Sequence, residues 1–148
     1  MATKSGFDTS DFDKLARAIE NLGREGRKIS KQSVLEASEV VLAQQRKDAP
    51  KANSDSTKGY NHLAISKKVK TYGNGSCYAK IGMTSENWNQ VKHLAFQHYG
   101  FENHGRGGRY RGMFISKHSG WVNKSFDKCK DKAYKELQSN LKNKLKLK

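Results

Sequence analysis

Between Arg27 and Pro50 apolar residues recur with helical spacing, and they occupy two sides of the helix. At about 100° per residue, Ile29, Val34, Ala37, Val40 and Val41 share one broad face, while Leu35 and Leu42 fall nearly opposite. A surface helix of a monomer needs one apolar stripe. The pattern therefore predicts a central helix covered on both sides, with Leu35 or Leu42 against another element or a neighbouring subunit. Pro50 disfavours helical geometry at Ala49 and cannot extend the ladder, so this helix should stop near Asp48. Upstream, Thr9 or Ser10 can cap a first helix with the single stripe Phe12, Leu15, Ala16, Ile19 and Leu22. Gly23 suits a C-terminal cap and Gly26 a separator, which predicts an antiparallel helical hairpin. Residues 1–8 read as a flexible arm.

After the polar stretch 51–61 the period changes to two. Leu63, Ile65 and Val69 share one face of a strand; Cys77, Ala79, Ile81 and Met83 share one face of the next. Gly73-Asn74-Gly75 between them is turn chemistry, so Leu63–Met83 is a predicted β-hairpin. Ser85 can cap a shorter helix over Glu86–His98 with Trp88, Val91 and Ala95 inward. Five glycines in Tyr99–Gly112 predict a mobile loop, and Met113–Ser116 a third strand. A last helix starts near Gly120 with the stripe Val122, Phe126, Cys129, Ala133, Leu137 and Leu141, and frays into a basic tail over 142–148. The expected fold is one α+β domain over 1–148. Its antiparallel sheet, built on the hairpin, packs against the central helix and the long C-terminal helix.

Composition adds that the core is thin: hydrophobic residues make up 34% and the mean hydropathy is −0.92. A thin core at this length favours burial completed by partners. No apolar run approaches a membrane span and the N-terminus lacks an apolar leader core, so a soluble protein made in a cytoplasm is expected. Cys77 and Cys129 stand alone, without a C-x-x-C pair, and are expected as reduced, packed thiols. The net charge of +15 is unevenly spread. Residues 1–48 carry 9 basic and 8 acidic side chains; residues 49–100 carry 7 and 2, and residues 101–148 carry 13 and 4. Such a field suits a polyanion or an acidic protein surface.

The best site-like feature is Arg106-Gly-Gly-Arg-Tyr-Arg111. Glycines allow close backbone approach, Arg106, Arg109 and Arg111 can fork onto phosphate or carboxylate, and Tyr110 can stack on a base. The plain alternative is a solvated loop whose arginines meet acidic residues of a protein neighbour. His93 and His98 are five apart, off a common helix face, and no carboxylate completes a metal motif, so no metal or cofactor is expected. General acid–base chemistry by His98 or His104 beside the arginines would make a small basic ribonuclease; no catalytic role is expected for either.

The order of these elements resembles the small neck or tail-completion proteins of long-tailed double-stranded DNA phages, the minor tail or head–tail joining components. That family runs helix pair, A-P-x-x-T-G-x-L-x-x-S-I, strand hairpin, an aromatic-Ala segment ending near E-F-G-T, and P-F-L-x-P-A-F before the last helix. Here Ala49-Pro50 matches, Thr57 and Gly59 stand in for T-G with one residue inserted, and Leu63-Ala-Ile-Ser66 approximates the strand start. Ala95–Gly100 and Gly120–Phe126 approximate the last two motifs, with His98 in place of the acid, Phe101 of the threonine, and Gly120 and Lys124 of the prolines. The resemblance implies a non-enzymatic virion protein assembled in the host cytoplasm. Its copies would form a ring (hexamer or dodecamer) around the DNA channel, between portal or connector and tail-terminator proteins. Contact with packaged DNA stays open, and no membrane is involved. The alternative is a small basic nucleic-acid-binding protein or ribonuclease acting through Arg106–Arg111.

Overall fold

The structure, a computed structural model, describes residues 9–51, 58–73, 76–105 and 111–145; in the first helix it describes side chains at 17 and from 19 onward. The order is α1 (Thr9–Asp48), a 3-10 turn (Gly59–His62), β1 (Ala64–Ile65), β2 (Lys70–Thr71), β3 (Cys77–Tyr78), β4 (Ile81–Gly82), α2 (Trp88–Tyr99), β5 (Phe101–Glu102), β6 (Phe114–Ile115) and α3 (Trp121–Leu145). The class is α+β, as expected.

Helices α1 and α3 lie antiparallel and form the frame. Lys128 pairs with Asp48 at 3.1 Å near one end, and Lys144 pairs with Glu36 at 2.6 Å near the other. Buried positions step by four on both: Ser33, Ala37, Val41 and Gln45 on α1, Trp121, Ser125, Cys129 and Ala133 on α3. Most are small, which lets the helices approach closely. One apolar cluster joins Val41, Cys129 and Ala133 to Ile81 of the hairpin. The other joins Ala49, Leu63, Val91, Leu94 and Trp121, with Leu42 packed against it. The central helix is thus covered from two sides within the chain; Leu42 is in contact, and Leu35 is half-buried.

The helical hairpin predicted at Gly23–Gly26 is absent: α1 is one 40-residue helix that runs through both glycines and ends at Asp48. Two interior glycines cost about 2 kcal/mol relative to alanine, whereas a break would need a second helix nucleus. No Pro or cap intervenes, and the Arg24–Glu20 pair ties the turn before Gly26.

The 63–83 hairpin forms, but as two short ladders instead of two continuous strands. Ala64 pairs with Gly82 and Ile65 with Ile81; Lys70 then pairs with Tyr78 and Thr71 with Cys77. The first arm spends two more residues between ladders than the second. Ser66 sits at the break: its Oγ accepts from Lys80 N at 3.1 Å and donates to the Lys68 carbonyl at 3.3 Å, a local alternative to strand pairing. Residues 74–75 lie outside the described residues. Met113–Ser116 does not join this hairpin; β6 pairs with β5 in a separate two-stranded ribbon.

Helix α2 starts at Trp88, two residues later than predicted, and Trp88 is 46% exposed instead of inward; Leu94 is buried with Val91 and Ala95. The cause is Asn87. Its Oδ1 accepts from Thr84 N at 2.7 Å and Thr84 Oγ1 at 3.2 Å, and its Nδ2 donates to the carbonyls of His62 at 2.7 Å and Gly82 at 2.9 Å. One amide fastens the 3-10 turn, β4 and the start of α2. Asn87→Ala is expected to lower stability by about 2–3 kcal/mol, since it orphans several backbone groups together. Urea unfolding would read this as a lower midpoint at unchanged slope.

Candidate functional site

The last two turns of α2 and the β5–β6 ribbon build one face of the molecule. A cavity of about 400 Å³ opens there, lined by His93, Phe96, Gln97, Phe101, Glu102 and His104. Around it Phe96, Tyr99, Met113 and Phe114 are exposed, Tyr99 at 75%. Two glycines fix this geometry. A Cβ on Gly59 would overlap the His93 ring, and a Cβ on Gly100 would overlap the Phe114 ring. Gly100 also has φ of 81°, which turns the chain from α2 into β5 at no cost to a residue without Cβ.

The ribbon leads to the arginine-rich segment. Asn103 N donates to the Met113 carbonyl at 3.0 Å and Gly112 N to the Asn103 carbonyl at 2.9 Å, so the arms stay paired up to Gly112. Arg111 is exposed beside that turn. Arg106, Arg109 and Tyr110 lie outside the described residues, as do residues 1–8. The basic tail is shorter than predicted, because α3 stays helical through Leu145 and Lys144 is paired with Glu36.

His98 and His104 do not share a site. His104 lies at the cavity with His93 and Glu102. His98 is half-buried at the start of α3, where its Nδ1 accepts from Val122 N at 3.4 Å and its carbonyl accepts from Gly120 N at 2.9 Å. The Nδ1 acceptor leaves the ring proton on Nε2. Burial pushes the His98 imidazole below its ordinary range. From sequence His93 is considered only with His98, as a metal-ligand pair; its neighbours at the cavity are Phe96 and Gln97, which stand at i+3 and i+4 on one helix face. Among the described residues no group of three His, Cys, Asp or Glu side chains is placed to hold a metal. The face is a largely aromatic surface with two imidazoles and a carboxylate, suited to docking a protein or a flat group.

At the end of α1, against the first turns of α3, burial raises the cost of ionising Asp48, but hydrogen bonds from Gln44 and Lys128 and the Lys128 charge outweigh it and hold the carboxyl below its usual range. Burial pushes the Cys129 thiol up, so this cysteine stays a packed thiol, as expected. His98 and Asp48 carry the same sign. A group whose folded pKa is depressed binds more protons when unfolded, so its contribution is present above the unfolded value and lost on acidification. Thermal stability should therefore fall as pH drops below the ordinary imidazole value of about 6.5, where the unfolded chain takes up a proton that folded His98 does not yet bind, and again below the ordinary carboxylate value of about 4 for Asp48. In His98→Gln the first fall should vanish; a curve matching the parent between pH 7 and 5 would show that His98 is not its source.

The N-terminal part of α1 is an extended surface without a partner among the described residues. Lys144, one residue from the end of α3, pairs with Glu36, so α1 continues about 27 residues past its companion, roughly 40 Å. Every described side chain from Arg17 to Glu25 is exposed, including Ile19 at 60% and Leu22 at 67%. Among the described residues no helix is long and apolar enough to cross a membrane. Compared with known proteins, the chain matches no family model, no curated protein and no solved structure.

Proposed function

We propose that the chain is a structural, non-enzymatic subunit of a tailed-phage virion, joining the portal-proximal head to the tail as a ring of identical copies around the DNA channel. The observation that carries this reading is the bare N-terminal part of α1, which displays Ile19 and Leu22 exposed and without a partner among the described residues. The resemblance in element order supplies the place; the arm supplies a way to assemble. Burying two such side chains against a neighbour contributes about 1.5–3 kcal/mol each. Charge selects where the arm goes. Residues 1–48 hold 8 of the 14 acidic side chains and net +1, whereas the rest of the chain nets +14. Body against body repels, and arm against body does so far less. A contact that joins two different surfaces repeats head to tail, and closes into a ring when the rotation between copies divides the full circle.

Infection without this gene product is the test. Filled heads and finished tails should accumulate unjoined, and supplying the chain should join them. Tailed, infectious particles at normal yield in its absence would refute the proposal. The cavity holding His93, Glu102 and His104 is the observation that favours the second reading, a small basic ribonuclease using Arg106–Arg111. Cleavage of RNA by the purified chain, lost in His104→Ala, would carry that reading instead.

A further inference from the structure

A second cavity, of about 210 Å³, lies on the 63–83 hairpin and the turn that follows it. Lys68, Lys70 and Lys80 line it, together with the hydroxyl-bearing Ser66, Thr84 and Ser85. We infer that this cavity is a binding site for the phosphodiester backbone of a nucleic acid, read without regard to base sequence. The inference goes beyond the proposed virion role and does not depend on it.

The site is built by the fold. The register break between the two ladders runs along its wall, with Ser66 fixed there by the Lys80 amide. On the other side Asn87 holds the amide and hydroxyl of Thr84. Lys68, in the bend between the ladders, and Lys70, on β2, come from one arm of the hairpin, and Lys80 stands on the opposing arm. Among the described residues none of the three lysines forms an ion pair. Glu86 is the one carboxylate at the cavity, which leaves three cations against one anion.

The chemistry favours phosphate over protein carboxylate. The cations lining this cavity are all lysines, which bind phosphate as point charges without a fixed fork geometry. Ammonium point charges with hydroxyl donors are the set that contacts phosphate oxygens and carries no sequence information. Beside the lysines the Tyr78 ring, which also lines the cavity, stacks on Tyr72 at 5.2 Å.

The test is fluorescence anisotropy of the full chain with three labelled probes: a 20-base-pair DNA duplex, the matching single strand, and an RNA of the same sequence. A second, unrelated duplex is expected to bind equally well. The combined Lys68→Gln, Lys70→Gln and Lys80→Gln variant should bind about 10- to 100-fold more weakly at 50 mM salt, and its slope against log salt should be shallower by about 2–3. Glu86→Gln removes the one anion and should bind more tightly than the parent, a gain that misfolding cannot imitate. The strongest of the three probes identifies which nucleic acid fits. An unchanged salt slope in the triple variant, weaker binding in Glu86→Gln, or equal affinity for polyglutamate would overturn the inference. None of these outcomes touches head–tail joining, which the infection experiment reads separately.

Discussion

Trp121→Ala is expected to lower stability by about 3–5 kcal/mol, a large share of the 5–15 kcal/mol typical of a folded domain. Trp121 is 5% exposed at the first turn of α3 and packs with Leu63, Val91 and Leu94. Its indole Nε1 donates to the Leu94 carbonyl at 3.1 Å, and its ring meets His98 edge-on at 6.5 Å. Truncation would open a cavity where α2, α3 and the 3-10 turn meet and remove the second hydrogen bond to a carbonyl already held in the α2 ladder. Trp121→Phe keeps most of the volume and loses only the hydrogen bond, so about 1–2 kcal/mol is expected there. Chemical unfolding of both variants separates packing from hydrogen bonding. Equal losses in the two would mean that the cavity is not the source.

The second large effect is on assembly. Ile19→Asp with Leu22→Asp should change the stability of the isolated chain by about 1 kcal/mol or less, because both side chains already face solvent. Incorporation into particles should fall about 100-fold or more, since the lost burial is several kcal/mol per contact. The pairing of near-native unfolding with absent incorporation separates an interface from a core. A double variant that joins heads to tails as well as the parent would show the arm to be mere surface.

What the sequence revealed and what it hid divides by the range of the interaction. The end of α1 was legible because Pro50 acts on its immediate neighbours. The hairpin was legible because alternation and Gly73-Asn74-Gly75 are local. The two-sided α1 followed from period alone, and Leu42 does pack against the second cluster. Gly23 and Gly26 misled because a glycine permits a break without requiring one. The α3 stripe was placed one position late: Trp121 and Ser125 are buried where Val122 and Phe126 were expected, and Phe126 is 39% exposed. One residue rotates a helix by about 100°, and Cys129 and Ala133 satisfy both stripes.

The candidate site was less legible because its causes are tertiary. Nothing near Asn87 in sequence announces that its amide will meet carbonyls 25 and 5 residues away. Gly59 was noticed only as half of a T-G pattern; its physical reason is the His93 ring against which no Cβ fits. His98 stands where the resembled family has an acid. It accepts a hydrogen bond at the N-terminal end of α3, a place where a carboxylate would also be favourable. The lysine cavity was invisible because Lys68, Lys70 and Lys80 looked like the solvated faces of two strands, and only the register break brings them around one space.

The central claim is that this chain completes its burial in a ring at the head–tail junction. Electron cryomicroscopy of the intact tailed particle tests it most directly. The account predicts copies of the α1–α3 frame in closed symmetry at that junction, with Ile19 and Leu22 of each copy covered by the next. A junction without this chain, or a ring in which both side chains remain open to solvent, would contradict it.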